Sequence, residues 1–183
     1  MEAIDALEII AFLQERGVRL WIGGGWGVDA LLNEETRHHA DLDLAVEIAD
    51  SDLYEQAVAA EGFRFLYFDP ANDQDGRHLN WVVKDETGRE IDVHLVDTSV
   101  ESISADGTRV YGGIPYPVGS LDGAGVIAGI PVRCVTAAYQ MTSHTGYEIK
   151  DTDVHDVLSL YRRFGLPLPR EYGAAARAEP PLC

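Results

Sequence analysis

Two short stretches of this chain, Asp41-Leu42-Asp43-Leu44-Ala45-Val46 and Glu90-Ile91-Asp92-Val93-His94-Leu95, alternate acidic and aliphatic residues. A period of two is that of a β-strand, whose successive side chains leave opposite faces. Leu42, Leu44 and Val46 then point into a core while Asp41 and Asp43 project together from the other face. Likewise Ile91, Val93 and Leu95 are core-like, and Glu90, Asp92 and His94 share the opposite side. If the two strands are neighbours in one sheet, Asp92 joins Asp41 and Asp43. Carboxylates crowded in this way repel, and one takes up a proton unless a divalent cation removes the penalty. Three oxygen ligands on rigid strands, with positions left for phosphate oxygens, suit two-metal phosphoryl chemistry.

Around these strands the pattern predicts a mixed α/β chain. Ile4, Leu7, Ile10 and Leu13 have helical spacing, with Gly17 as a stop, and VRLWI (18–22) reads as a buried strand. Gly23 to Gly25 break that strand, and residues 26–32 resume a helical pattern. A strand over 42–47 is followed by a helix over 51–61, capped by Asp50 or Ser51 and stopped by Gly62, then by the strand FRFLYF. LNWVVKD and REIDVHLV form a hairpin about Glu86-Thr87-Gly88. Residues 98–131 are rich in Gly, Pro and Ser and read as a long loop with short strands. Two helices close the fold, one from Thr136 and one over 153–164, and Gly173 to Cys183 read as a frayed, flexible tail. The expected organisation is a catalytic core over 1–135 with a helical part of the same domain over 136–172.

Composition narrows the partners. The 183 residues carry 14 Lys+Arg against 31 Asp+Glu, a formal net charge of -17, which repels nucleic acid and attracts a cationic small molecule. The two cysteines, Cys134 and Cys183, form neither a CxxC nor a Cys/His zinc spacing. The opening MEAIDALEIIAF lacks a basic leader, and no apolar run spans a bilayer, so the cytoplasm is the expected compartment, without a membrane partner. Oligomeric state is left open, a homodimer included.

The glycine turn offers a phosphate-facing counterpart to the acids. Backbone N–H groups at a glycine bend before a helix can cradle phosphates, and Gly24 and Gly25 are the candidates. No Gly-Lys-Ser/Thr follows, so this is not a Walker A loop, and Val28 stands where GxGxxG needs glycine.

The run Gly23-Gly24-Gly25-Trp26-Gly27-Val28-Asp29-Ala30-Leu31-Leu32, then Thr36-Arg37-His38-His39-Ala40-Asp41-Leu42-Asp43, then Ile91-Asp92-Val93-His94, resembles the small antibiotic nucleotidyltransferases of the polymerase-beta-like superfamily. VYGGIPYPVGS (110–120), Val132-Arg133-Cys134 and His144-Thr145-Gly146-Tyr147-Glu148 add to the likeness, which is strongest to the lincosamide group and more distant to the aminoglycoside group. The resemblance implies a polymerase-beta-like fold with a mixed sheet flanked by helices. It also implies transfer of a nucleoside monophosphate from ATP or another nucleoside triphosphate to a hydroxyl of a small molecule, with release of pyrophosphate. Asp41 and Asp43 would hold Mg²⁺, and Asp92 would bind a second ion or take the hydroxyl proton. Gly24, Gly25, Arg37, His39 and Tyr147 are the implied nucleotide-binding residues, and a cationic antibiotic such as a lincosamide or aminoglycoside is the implied acceptor.

Other residues are read more plainly. Asp29 caps or pairs structurally, and Trp21 and Trp26 belong to the core. His144 and Tyr147 share a helix face and contact nucleotide or acceptor, Lys150 reaches a phosphate, and Asn80 and Trp81 line an acceptor cleft. Glu148, Asp151, Asp153 and Asp156 form an acidic cluster, read as a solvated helix start in preference to a surface that greets a cationic antibiotic. His38, His39 and Asp41 also suggest zinc, but hard-oxygen chemistry and the missing third imidazole argue against it. A protein or RNA acceptor, or a non-catalytic nucleotide-binding or antitoxin module, are the competing functions. Charge disfavours RNA, and three acids kept in register disfavour the module.

Overall fold

The computed structural model describes residues 1–74 and 76–178. Its elements run α1 (Ala3–Glu15), β1 (Leu20–Ile22), α2 (Gly24–Leu32), β2 (Asp41–Glu47), α3 (Ser51–Ala60), β3 (Arg64–Phe68) and the short pair β4 (Asp73–Gln74) and β5 (Arg77–His78). Then come β6 (Asn80–Lys84), β7 (Glu90–Ile103), β8 (Arg109–Gly113), β9 (Gly123–Ile127), β10 (Ile130–Cys134), α4 (Ala137–Ser143), α5 (Asp151–Phe164) and α6 (Gly173–Ala178). The main sheet is mixed, in the order β3-β6-β7-β2-β1-β10-β9, with β8 paired to β7. Strands β2 and β7 are parallel neighbours, and their register sets Asp41 against Glu90 and Asp43 against Asp92.

The aliphatic half of the alternation holds that register. Leu42, Leu44, Val46, Ile91, Val93 and Leu95 are all buried against Ile9 and Leu13 of α1 and Tyr54 and Ala57 of α3. Each such side chain contributes about 1.5–3 kcal/mol when fully buried, and a one-residue slip would exchange them for carboxylates. The opposite face is free to be polar. Helix α2 faces two ways, turning Trp26 and Ala30 into the sheet core and Val28 into a cluster with Met141, Val157, Leu160 and Tyr172. The two closing helices thereby pack directly beside the glycine bend.

Several boundaries differ from expectation for identifiable reasons. Helix α2 begins at Gly24, not residue 26, because Gly23 already accepts the Gly27 N–H at 2.7 Å. Asp50 precedes α3 but does not cap it with its side chain; its carboxylate takes the Arg19 backbone N–H at 3.0 Å and Nε at 2.8 Å, tying α3 to the entry of β1. Strand β7 runs on to Ile103, into the segment read as a loop with short strands, and β8 and β9 are two such strands. Pairing of β7 with β8, through an irregularity between Asp97 and Glu101, supplies the extension of β7 that local composition did not announce. Residues 173–178, read as part of a frayed tail, form α6, consistent with the helix-favouring AAARA run. The rest of that tail, 179–183, lies outside the described residues. Among the described residues no helix is long and apolar enough to cross a membrane.

Candidate active site

On the polar face of β2 and β7, a cavity of about 340 Å³ opens between the sheet, the start of α2 and the α4–α5 connection. Gly23, Gly24, Gly25, Arg37, Asp41, Asp43, His94, His144, Tyr147 and Lys150 line it. A larger cavity of about 450 Å³ on the other side of the sheet is walled mainly by Phe63, Phe65, Trp81 and Val83 and holds none of the expected acids. Trp81, expected in an acceptor cleft, therefore faces away from the aspartates.

The acids behave as an unneutralised group. Asp43 is pushed up to about 8 by burial first, then by the charges of Asp41 and Asp92. Burial also raises Asp92, against the lowering influence of His94 and of Asn80, whose Nδ2 donates to Asp92 Oδ1 at 2.5 Å. Asn80 is thus a partner of Asp92 and not of an acceptor. His94 Nε2 lies 3.6 Å from Asp92 Oδ1, and its Nδ1 is 3.1 Å from the Tyr116 hydroxyl. Burial holds the His94 imidazole below its ordinary value, with Asp92 opposing.

The expected closed triad is not preassembled. Asp92 is not itself among the lining residues, although His94 of the same strand is, and among the described residues no three His, Cys, Asp or Glu side chains already form a metal-binding group. The donor set nonetheless fits Mg²⁺. It consists of hard carboxylate oxygens on adjacent rigid strands, and their mutual repulsion is what a divalent ion would relieve.

Beside the acids, the first turn of α2 presents N–H groups that have no acceptor within the helix. Glycine is required here by contact. Gly24 has φ +50°, and a Cβ on it would meet Asp43 Oδ2 at 1.8 Å; one on Gly25 would meet the Arg37 guanidinium at 2.3 Å and His39 Nδ1 at 2.4 Å. Gly24→Ala is expected to displace the Asp43 carboxylate, lowering turnover at least about tenfold, and to cost about 1–2 kcal/mol of stability from the left-handed backbone. Steady-state kinetics and thermal melting would check both.

The remaining expected residues divide into wall and support. Arg37 is on the wall, held by Asp156 through Nε–Oδ1 at 2.8 Å and NH2–Oδ2 at 2.6 Å. His39 is behind the wall, only 2% exposed, its ring tilted 36° against that of Trp26 at 4.3 Å between centroids, with Nε2 at 2.5 Å from Asp29 Oδ2. Asp29 also accepts the Thr36 N–H at 3.1 Å and hydroxyl at 2.6 Å, so this pair orders the turn that leads into β2. His144 and Tyr147 both reach the cavity, although α4 ends at Ser143 and they do not share a helix face. Asp156, read as solvated, is 1% exposed. Gln140 escaped sequence reasoning altogether; its side chain donates to the Gly24 carbonyl at 3.0 Å, and nothing local in AAYQMTS signals it.

Comparison with known proteins agrees with this arrangement. Residues 5–160 match the family model described as aminoglycoside-2''-adenylyltransferase. A 2''-aminoglycoside nucleotidyltransferase of Escherichia coli is 36% identical over 129 residues, 69% of this chain and 63% of that protein. The chain thus spans under two thirds of that relative's length. Among solved structures, ANT(2'')-Ia in complex with adenylyl-2''-tobramycin superposes with a TM-score of 0.65 at 25% identity, over 87% of each chain. The lincomycin-bound lincosamide antibiotic adenylyltransferase LnuA gives 0.66 at 21% identity, over 84% of this chain and 92% of that one. The acid-bearing sheet, the glycine bend and a family match over most of the chain converge: the protein belongs to the aminoglycoside-2''-adenylyltransferase family and has the polymerase-beta-like nucleotidyltransferase fold.

Proposed function

We propose that the chain transfers a nucleoside monophosphate from a nucleoside triphosphate, ATP in the first instance, to a hydroxyl of an aminoglycoside antibiotic. The observation that carries this reading is the register of Asp43 against Asp92 on parallel strands, with Asp41 on the same face and the α2 N-terminus beside them. The family match and the 36% identical relatives favour an aminoglycoside over a lincosamide acceptor, and the net charge of -17 suits a polycation.

In this reading Asp41, Asp43 and Asp92 hold two Mg²⁺ ions, which when bound neutralise the triphosphate and the charge that develops on it. The chain's own residues do the rest. Gly24 and Gly25 receive phosphate oxygens on backbone N–H groups, and Arg37 adds a fixed positive charge. His39 acts through Asp29 and the turn they order, and Tyr147 lines the nucleotide side. Asp92, kept in place by Asn80, takes the proton of the acceptor hydroxyl as its oxygen bonds to the α-phosphorus. The bond from that phosphorus to the bridging oxygen breaks, and pyrophosphate leaves. Positioning and electrostatic stabilisation supply the acceleration.

Incubation with Mg²⁺, each nucleoside triphosphate and a panel of aminoglycosides and lincosamides is the test, read by pyrophosphate release and product mass. An aminoglycoside gaining the mass of one nucleotidyl group is the expected product. No pyrophosphate with any panel member would overturn the reading.

A further inference from the structure

One buried carboxylate near the cavity has no place in the chemistry above. Asp156 projects from α5, is 1% exposed, and lies 119 residues along the chain from Arg37, which it binds through both carboxylate oxygens. Its Oδ2 is also 3.8 Å from His144 Nε2. The other ring nitrogen of His144, Nδ1, donates to the Gln140 carbonyl at 2.7 Å, while the Gln140 side chain donates to the Gly24 carbonyl at 3.0 Å. One carboxylate therefore contacts both a guanidinium and an imidazole on the wall beside the glycine bend, and Gln140 of α4 holds the bend itself.

The charges sort by side. Asp41 and Asp43 stand on the strand side, while Arg37, His144 and Lys150 stand on the helix side, where Asp153 is the one lining carboxylate among the described residues. A free guanidinium so close to Asp41 and Asp43 would be drawn onto them, where it would compete with a metal ion. Asp156 prevents this by holding Arg37 with two-pronged geometry, which fixes the plane of the guanidinium and removes its rotamer freedom before any ligand arrives. The Arg37 NH1 donates to the His38 carbonyl at 3.1 Å, which leaves one hydrogen on each terminal nitrogen for a ligand oxygen. Burial disfavours a charged His144, but Asp156 and the Gln140 carbonyl outweigh it and raise the imidazole above its ordinary value.

We infer that Asp156 is a positioning residue that holds Arg37 and His144 at the α2 end of the cavity as a binding pair for the pyrophosphate portion of a nucleoside triphosphate. This rests on the nucleotidyl-transfer reading, and it adds a residue remote in sequence that sets affinity for the donor and not for the acceptor.

Calorimetric titration of the whole chain with Mg²⁺-pyrophosphate and with a non-hydrolysable Mg²⁺-nucleoside triphosphate, without acceptor, tests it independently of turnover. Asp156→Asn should weaken both ligands about 10- to 100-fold, the range for charged hydrogen bonds lost from a site. Where activity is measured, KM for the nucleotide should rise by a similar factor while KM for the acceptor stays within about twofold. In an Arg37→Gln background, Asp156→Asn should have a smaller further effect than in the parent, because only the part exerted through His144 remains. Should Asp156→Asn fail to fold, Asp156→Glu keeps the charge but moves Arg37, and should weaken pyrophosphate binding with the melting temperature preserved. Unchanged pyrophosphate affinity in a folded Asp156 variant, or full additivity with Arg37→Gln, would overturn the inference while leaving nucleotidyl transfer standing. Failure of the parent protein to bind either ligand would remove both.

Discussion

Asp43→Asn is expected to lower kcat at least about 10³-fold, and Asp92→Asn to do nearly as much, with circular dichroism unchanged. Removing a single preorganised group that stabilises transition-state charge costs about 10²–10³ in rate, and these carboxylates are asked to do that and to hold the metal. Neither side chain is part of the aliphatic cluster that sets the register of β2 and β7, so the fold has no reason to change. Asparagine also keeps the size and one acceptor oxygen of aspartate, which confines the loss to the charge. Turnover within tenfold of the parent in either variant would remove that residue from the chemistry.

The same substitution should stabilise the metal-free protein at alkaline pH. Asp43 has its ordinary value of 3.8 in the unfolded chain and about 8 in the folded one, raised by burial and by Asp41 and Asp92. Between those limits the unfolded chain releases a proton that the folded chain keeps, so stability falls as pH rises across the window. With the coupling among the three acids allowed for, the loss is about 2–4 kcal/mol, or roughly 5–12 °C in melting temperature for a domain of this size. Asp43→Asn has no such proton to lose. Its melting temperature should match the parent's near pH 4 and exceed it by that margin near pH 8. Carboxylates held low, such as Asp50 beside Arg19 and Asp156 beside Arg37 and His144, lose their contribution only as pH falls below the window, and do so in both proteins. His144, held high, loses its contribution as pH rises, again in both. Parallel melting curves across pH 4–8 would show that Asp43 carries no such strain. A binding site that destabilises its own empty fold is the expected mark of residues selected for function.

How much of this was legible beforehand follows from the range of the interactions. Alternation in DLDLAV and EIDVHL announces which side chains share a face, because that depends on neighbours two residues apart. That Asp43 and Asp92 stand opposite one another depends on β2 and β7 being adjacent and parallel in this register, which local pattern does not contain. The glycine bend was visible as composition, but the need for Gly24 comes from the Asp43 carboxylate pressing against it. His39 was read as a nucleotide contact from its place in a motif, whereas Trp26 and Asp29 draw it behind the wall. Asp156 resembled a solvated helix start because the Arg37 that buries it is 119 residues away. The reach of β7 to Ile103 was hidden in the same way, since its order comes from β8.

Titration of the metal-free chain with Mg²⁺ at pH 8, followed by thermal melting with and without a non-hydrolysable nucleoside triphosphate, goes straight to the carboxylates. An ion held by residues 41, 43 and 92 should raise the melting temperature of the parent in a saturable way, by about 2.7 kcal/mol of stability at a hundredfold excess over Kd, more tightly when nucleotide is present. Asp43→Asn should gain almost nothing. An equal, saturable rise in parent and variant would place the cation elsewhere and contradict the assignment of these three aspartates as its ligands.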